Sequence, residues 1–494
     1  MTKKSAIVIG SGFAGLSAAS FLAKAGWDVT VIEKNKTPGG RARQLKEAGF
    51  VFDMGPSFYW MPDVFDRYFA QFNKKVSDYY QLERLDPSYR VYWNDGFTDL
   101  PASLPQLENV FESMEPGSAA QLQQYLKGAA YKYEVGINKL VYKPSRSLFE
   151  FMDWATIRGV FKLDVFSSIK KHIRKYFTHP KLQQLMEFPV LFLGALPEDT
   201  PALYSLMNYA DIKGGTWYPQ KGMYAVVQAM YDLCKELGVT FHFEEEVKKI
   251  VTKKGTVTTV VTDKQQYAPT VLVSAADYHF TETKLLSPAD QTYPEAYWAK
   301  KTMAPSCLMY YVGLNKKLKQ TVHHSLFFDV SFEKHGKEIY KNVKWPDDPL
   351  FYVSISSSTD KSTAPEGCEN MVLLVPVAAG LDGDTEGLRE HYFQLLIRRL
   401  EKHWGESLLD AVIYKKSYSV NDFVHDYNSY KGNAYGLANT LKQTAIFRPS
   451  CKSKKVSNLF YTGQLTVPGP GVPPSLISGE VVANEVIKEF SKTK

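Results

Sequence analysis

The chain has 494 residues, which is long enough for two or three domains, and its 44% hydrophobic content is enough for a substantial core. Its net charge of +7 is mildly basic and dispersed, which argues against a nucleic-acid partner but suits an anionic membrane surface. The four cysteines form no CxxC pair, and neither they nor the ten histidines show metal-ligand spacing. We therefore predict reduced thiols, a cytoplasmic location and no metal. No run of about 20 apolar residues could span a bilayer.

The first part of the chain predicts a strand, a glycine turn, a helix and a second strand. An apolar run at 6–9 stops at Gly10, a helix-compatible segment covers 16–25, and a second apolar run at 29–32 ends on Glu33. This order is that of a dinucleotide-binding βαβ unit. It predicts an α/β fold with a Rossmann-type domain.

Each motif residue of that unit has a physical role. Gly10 permits the tight turn, Gly12 lets the backbone approach a pyrophosphate, and Gly15 lets the helix pack closely on the strand. The N-terminus of the helix offers free N–H groups and a positive dipole end to the phosphates. Glu33 is expected to accept hydrogen bonds from the adenosine ribose.

Further motifs carry a resemblance to a known family. The segment 38–43, with Gly40 and Arg41, resembles the second phosphate-binding loop of glutathione-reductase-type FAD proteins, among them amine oxidases and carotenoid desaturases. The segment 53–56 matches a motif that carotenoid desaturases place near the flavin. The segments 217–223 and 463–475 match the same family, and Gln464 replaces an aspartate that many of these enzymes carry. Ser475 is expected to cap a last helix from Leu476.

Over essentially its whole length the chain thus resembles the bacterial phytoene desaturases. The resemblance implies a non-contiguous FAD-binding domain (1–75, 215–290 and 441–494), joined to an α+β substrate domain with a membrane-facing helical region (76–214 and 291–440). The residues expected at the cofactor are Gly10, Gly12, Phe13, Ala14, Gly15, Glu33, Lys34, Gly40, Arg41, Asp53, Met54, Gly55, Pro56, Val247, Gly463, Gln464, Val472 and Pro473.

Two apolar segments are assigned to the substrate and the membrane. Phe58, Tyr59, Trp60 and Met61 are too apolar to be exposed together, and we expect them to line the substrate cavity. Residues 157–177 combine apolar residues at three- and four-residue steps with a cluster of lysines and arginines. This pattern predicts a basic amphipathic helix that lies on the inner face of the cell membrane.

The predicted activity is FAD-dependent desaturation of a long isoprenoid, with phytoene converted toward lycopene. The substrate that the resemblance implies has a saturated carbon pair between double bonds. Because this pair has no acidic proton, the flavin is expected to take a hydride from it. No acid or base residue is assigned. A 3,4-desaturase of hydroxylated carotenoids, a carotenoid isomerase, a flavin amine oxidase and a non-enzymatic flavin-binding membrane protein remain alternatives. Oxygen or a quinone is the expected electron acceptor.

Overall fold

The computed structural model describes residues 4–147, 150, 164, 167–191 and 194–491. Strands in this part of the chain are β1 (Ser5–Ile9), β2 (Asp28–Ile32), β3 (Gln44–Glu47), β4 (Phe50–Asp53), β5 (Leu82–Arg84), β6 (Tyr89–Trp93), β7 (Gly96–Leu100), β8 (Trp217–Pro219), β9 (Thr240–His242), β10 (Val247–Lys253), β11 (Thr256–Thr262), β12 (Gln266–Tyr267), β13 (Val271–Ser274), β14 (Ser306–Leu314), β15 (His324–Phe327), β16 (Phe351–Ser354), β17 (Glu369–Val377), β18 (Val412–Tyr418) and β19 (Leu459–Tyr461).

The α-helices of the described residues alternate with these strands. They are α1 (Phe13–Lys24), α2 (Pro62–Ala70), α3 (Leu104–Met114), α4 (Ser118–Val135), α5 (Ile169–Ile173), α6 (Pro180–Leu191), α7 (Leu206–Tyr209), α8 (Tyr224–Glu236), α9 (Tyr278–Phe280), α10 (Glu295–Trp298), α11 (Phe332–Tyr340), α12 (Glu386–Trp404), α13 (Val420–Tyr427) and α14 (Val472–Ser491). None of them is long and apolar enough to cross a membrane.

A five-stranded parallel sheet forms the first layer of the molecule, in the order β19-β13-β1-β2-β9. Its central strands are buried apolar runs, as parallel sheets covered on both faces require. Helix α1 packs against α14 so closely that a Cβ on Gly479 would lie 2.4 Å from the Ala14 carbonyl oxygen. The hydroxyl of Ser17 donates to the Leu476 carbonyl, 2.7 Å away.

A seven-stranded mixed sheet forms the second large layer, in the order β18-β14-β17-β16-β15-β6-β7. Its strands come from residues 89–100 and 306–418, whereas the parallel sheet uses 5–32, 240–274 and 459–461. Adjacent strands are antiparallel except β15 and β6. The sheets thus follow the two sets of segments assigned to cofactor and substrate, whose boundaries remain a prediction.

The described part of the segment 157–177 does not form the long amphipathic helix that the sequence predicts. Most of its first half, 157–163 and 165–166, lies outside the described residues. The rest contains only the short helix α5, and the side chains of Ile169, Ile173 and Phe177 are buried in the main core, with Phe177 against Phe111. These apolar side chains therefore do not form a membrane-facing surface, because they already pack against α3 and α4.

The last helix also begins earlier than predicted. It starts at Val472 rather than Leu476, and Ser475 lies in its first turn, where its N–H donates to the Gly471 carbonyl. Two prolines at 473 and 474 are tolerated there because first-turn N–H groups have no partner within the helix.

Candidate functional site

One large cavity follows the carboxyl edge of the parallel sheet. It is lined by the residues that end four neighbouring strands: Gly10 after β1, Glu33 after β2, Ala275 after β13 and Gly463 after β19. Open parallel sheets bind ligands in the crevice outside the carboxyl ends of their strands. The position of this cavity therefore marks it as the candidate functional site.

The glycine turn has the geometry that its sequence predicts. Gly10 has φ of +95°, and its N–H donates to the Ile32 carbonyl at 2.8 Å. Gly12 precedes α1 and provides no side-chain cap, so the first-turn N–H groups of Phe13 and Ala14 are free for a ligand. Gly15 does not line the cavity. It allows the close packing of α1 on the turn.

Glu33 is held rigidly at the edge of the cavity. Its side chain is buried, and one carboxylate oxygen accepts hydrogen bonds from the N–H and hydroxyl of Ser11 at 2.9 and 2.8 Å. The other oxygen accepts from the N–H and side-chain amide of Asn35, both at 2.9 Å. Lys34 also lines the cavity, and its ammonium group donates to the His425 carbonyl at 2.8 Å.

Arg41 is a partly buried cation in the wall of the cavity. Its guanidinium donates to the Ser429 hydroxyl and the Asn433 carbonyl, at 3.0 and 3.2 Å, while its Nε has no partner among the described residues. Desolvation lowers the pKa of Arg41 and the negative charge of Asp277 opposes this shift, while burial raises the pKa of Asp277 itself. A partly buried guanidinium with unused hydrogen-bonding capacity is suited to an anionic ligand.

The second glycine loop approaches the first across the cavity. A Cβ on Gly40 would lie 3.3 Å from the Cα of Gly12. Two facing backbones without side chains, together with the N-terminus of α1 and Arg41, form a cradle for phosphate groups. Gly55 and Pro56 line the same region, and a Cβ on Gly55 would meet the Arg41 carbonyl at 2.4 Å.

Asp53 and Met54 are not among the described residues that line the cavity, so their predicted contact with the cofactor stays a prediction. The Asp53 carboxylate accepts hydrogen bonds from the N–H groups of Met223 and Tyr224, at 2.7 and 3.2 Å, and so anchors the start of α8. Burial raises its pKa to about 7. The Met54 carbonyl accepts from the Tyr311 hydroxyl at 2.9 Å. Both residues thus support the loop that continues into Gly55 and Pro56.

The four predicted substrate residues divide between two sides of the chain. Phe58, Trp60 and Met61 line the cavity, whereas Tyr59 stacks on Phe65, and its hydroxyl pairs with that of Tyr80 at 2.9 Å. Successive side chains of an extended segment point to opposite sides, which places Tyr59 away from Phe58 and Trp60.

Strands of the seven-stranded sheet provide the opposite wall, in line with the apolar strands that the sequence indicates at 307–312 and 351–356. Cys307 and Met309 of β14, Tyr352 of β16 and Leu374 of β17 line the cavity. Burial raises the pKa of Cys307 to about 12, so its thiol stays neutral. The alternation of residues 307–312 in a strand would have shown that Cys307 and Met309 share one face.

A hydrogen-bonded chain of neutral side chains reaches this wall from behind. The Tyr352 hydroxyl donates to Ser57 Oγ at 2.8 Å and lies 2.6 Å from His324 Nδ1. Burial lowers the pKa of His324 well below its usual range, and Phe58 stacks on its ring at 4.1 Å. Ser57 and Tyr352 therefore supply polar but uncharged groups to a largely apolar wall.

The remaining predicted contacts occupy the two ends of the cavity. Val247 lines it beside Glu33, whereas Gly463, Gln464, Val472 and Pro473 line it beyond β19. The Gln464 amide donates to Asn433 Oδ1 at 3.1 Å.

Comparison with known proteins now identifies the family. A family model described as flavin containing amine oxidoreductase matches residues 13–487. The chain belongs to this family. Its flavoproteins use FAD, and this chain is an FAD-dependent oxidoreductase.

Curated relatives narrow the relationship to the carotenoid desaturases. The chain is 40% identical to a carotenoid 3,4-desaturase of Haloarcula japonica over 98% of both chains. It is 31% identical to a zeta-carotene-forming phytoene desaturase of Myxococcus xanthus, over 97% of this chain and 93% of the relative. The resemblance seen in the sequence is therefore confirmed.

Solved structures share the fold of this flavoprotein. An oxidoreductase from Methanosarcina mazei has a TM-score of 0.63 at 17% identity and covers 97% of this chain and 100% of its own. A CLA-producing fatty acid isomerase from P. acnes has a TM-score of 0.63 at 14% identity, with 99% of each chain covered.

The residues of the cavity fit FAD. Arg41 and the facing glycines 12 and 40 suit the pyrophosphate, and Glu33 and Val247 suit the adenosine beside β2. Strand β19 lies three strands from β2 in the sheet, roughly 14 Å at the usual strand spacing. An extended dinucleotide held at β2 and β1 would therefore have its flavin end held by the residues that follow β19 and by the wall of β14, β16 and β17.

Proposed function

We propose that this flavoprotein is a carotenoid desaturase that introduces conjugated double bonds into an acyclic carotene, with phytoene as its first substrate. The observation that supports this most directly is the wall at the flavin end of the cavity. It is formed by large apolar side chains, among them Phe58, Trp60, Met61, Met309 and Leu374. Such a wall suits a hydrocarbon far better than a charged amine.

Bound FAD would accept a hydride from an allylic carbon of the substrate, and the neighbouring carbon would lose a proton to a base or water as the double bond forms. The protein's own contribution is to hold the polyene against the flavin end and to exclude water with Phe58, Trp60 and Met309. Neutral Cys307 and His324 keep this wall uncharged. A developing allylic cation would be stabilised by its own polyene and by aromatic faces. The wall would not repel this cation, because β14, β16 and β17 contribute no ammonium or guanidinium to it.

A second candidate is 3,4-desaturation of a carotenoid that carries a hydroxyl group. The 40% identity with a carotenoid 3,4-desaturase supports it, as do the Ser57 and Tyr352 hydroxyls at the cavity. Those hydroxyls could bind a polar substrate end, whereas a pure hydrocarbon leaves them paired with each other.

We further propose peripheral binding to the inner face of the cell membrane, with oxygen or a membrane quinone as electron acceptor. At about 0.8 kcal/mol per buried CH₂, a carotene of roughly forty carbons prefers lipid to water by tens of kcal/mol. Direct transfer from the bilayer avoids this cost. In the described part of the predicted basic segment, Lys170 and Arg174 pair with Glu198 and Glu187, which leaves Lys171 and Lys175 exposed for anionic lipid.

The test is to incubate purified protein with FAD and liposomes that contain phytoene, and to read the absorbance of the extracted pigments. New long-wavelength bands are expected, because each added double bond lengthens the conjugated chain. Colourless extracts from FAD-loaded protein would contradict phytoene as the substrate. A parallel reaction with a hydroxylated acyclic carotene then decides between the two candidates.

A further inference from the structure

Arg448 is a buried cation that lies behind the cavity rather than in it. Its side chain is only 4% exposed. One terminal nitrogen donates to the Gln464 and Thr466 carbonyls at 3.3 and 3.4 Å, and the other donates to the Leu437 carbonyl at 3.2 Å and to Asn439 Oδ1. All four acceptors are neutral.

Within the described part of the chain, Arg448 forms no ion pair with a carboxylate. The titratable groups that affect it are the hydroxyls of Tyr204 and Tyr297, and its pKa, lowered by burial to about 10, still leaves it protonated at neutral pH. The nearby Lys301 is itself a cation whose pKa is lowered by burial and by Arg448. Burial of a charge without a counter-ion is unfavourable for folding, so Arg448 in this position lowers the stability of the fold.

The loop that Arg448 supports is the one that lines the flavin end of the cavity. Residues Gln464, Leu465, Pro470 and Gly471 of this loop face the cavity. Its other side contacts the guanidinium, since a Cβ on Gly469 would lie 3.1 Å from Arg448 Nη2. The charge is therefore separated from the cavity by one layer of backbone.

We propose that Arg448 is a positioning residue that raises the reduction potential of the bound flavin through its uncompensated charge. Two-electron reduction makes the flavin more negative, and a fixed cation in a low-dielectric interior stabilises the reduced form more than the oxidised form. This favours hydride acceptance from a hydrocarbon. The N-terminus of α14 acts in the same direction. The inference depends on FAD and not on the identity of the carotenoid.

The test uses the full-length FAD-loaded protein and measures the reduction potential by equilibration with redox dyes. Asn439→Asp is the most informative variant, because it places a carboxylate on the guanidinium at nearly constant shape and neutralises the charge. Arg448→Gln removes the charge, and Arg448→Lys keeps it while losing the forked hydrogen bonds. Arg90→Gln, whose guanidinium pairs with Asp99 on β6 and β7, is the control for loss of a partly buried arginine.

We expect Asn439→Asp and Arg448→Gln to shift the potential to more negative values and to reduce the preference for reduced over oxidised FAD by about tenfold or more. Arg448→Lys should retain most of the wild-type potential, and Arg90→Gln should retain all of it. Wild-type potential in Asn439→Asp would overturn the proposal, even where Arg448→Gln fails to fold. Equal shifts in Arg448→Lys and Arg448→Gln would also overturn it, because loop geometry would then be the cause.

Discussion

A Cβ atom on Gly15 would lie 2.0 Å from the carbonyl oxygen of Gly10, closer than any real contact of this kind. Helix α1 can therefore approach the end of β1 only because residue 15 has no side chain. We predict that Gly15→Ala lowers the free energy of unfolding by about 3 kcal/mol or more, since the contact is with backbone. Gly128→Ala is the matched control, because a Cβ there meets nothing within 4 Å. Equal unfolding midpoints in urea would contradict the packing role of Gly15.

Gly12 has a different role, and its substitution should separate folding from cofactor binding. Its φ of −73° is accessible to any residue, and the nearest atom to an added Cβ is 3.9 Å away. Gly12→Val should therefore fold with near-native circular dichroism but purify without flavin, because the side chain occupies the pyrophosphate cradle. A yellow variant with native FAD content would contradict the assignment of this cradle.

The βαβ unit could be predicted from sequence because its signals are local. Gly10, Gly12 and Glu33 are close in the chain, and each has a physical requirement that few other residues meet. Confirmation of the carotenoid desaturase family rests on the same kind of local motif, distributed over the whole chain.

The substrate wall could be predicted only in part. Apolar strands at 307–312 and 351–356 are visible in the sequence, but Cys307, Met309 and Leu374 reach the cavity only through pairing of strands that are far apart in sequence. Adjacency of Asp53 to a flavin motif likewise does not give the direction of its side chain. Arg448 carries no motif that the sequence interpretation used, and its significance appears only when its burial and its neutral partners are known.

The pKa of Asp53 predicts a specific pH dependence of stability. Burial raises this pKa from 3.8 to about 7, so the folded protein binds a proton that the unfolded chain has lost. The resulting stabilisation is fully present below about pH 4 and is lost as the pH rises through about 7. The free energy of unfolding of the wild type, relative to Asp53→Asn, should therefore fall across this window.

Asp290→Asn provides the comparison for that titration. Hydrogen bonds from Ser287 and Thr252 outweigh burial and hold the pKa of Asp290 below its usual range, so its titration ends before this window begins. Urea unfolding at intervals between about pH 4 and 8 should give a constant difference for Asp290→Asn and a sloping one for Asp53→Asn. A constant difference for both would mean that Asp53 is ionised throughout.

The ion pairs of the basic segment show which of its lysines should matter for membrane binding. Because Lys170 and Arg174 are paired, the double variant Lys171→Gln/Lys175→Gln should lose affinity for anionic liposomes, by about thirtyfold if each of the two charges contributes about 1 kcal/mol. Lys415→Gln/Lys416→Gln, which removes the same charge from β18, should bind like the wild type. Identical co-sedimentation of both double variants would exclude α5 and the residues that follow it as the membrane contact.

The most direct test of the account is anaerobic mixing of the FAD-loaded protein with phytoene-containing liposomes, with the flavin spectrum and the extracted pigments recorded together. Hydride transfer predicts that the visible flavin band bleaches in proportion to the double bonds formed, and that admission of an electron acceptor restores it. A longer polyene formed while the flavin stays oxidised would contradict the proposed function, as would pigment conversion that requires reduced FAD and involves no net oxidation.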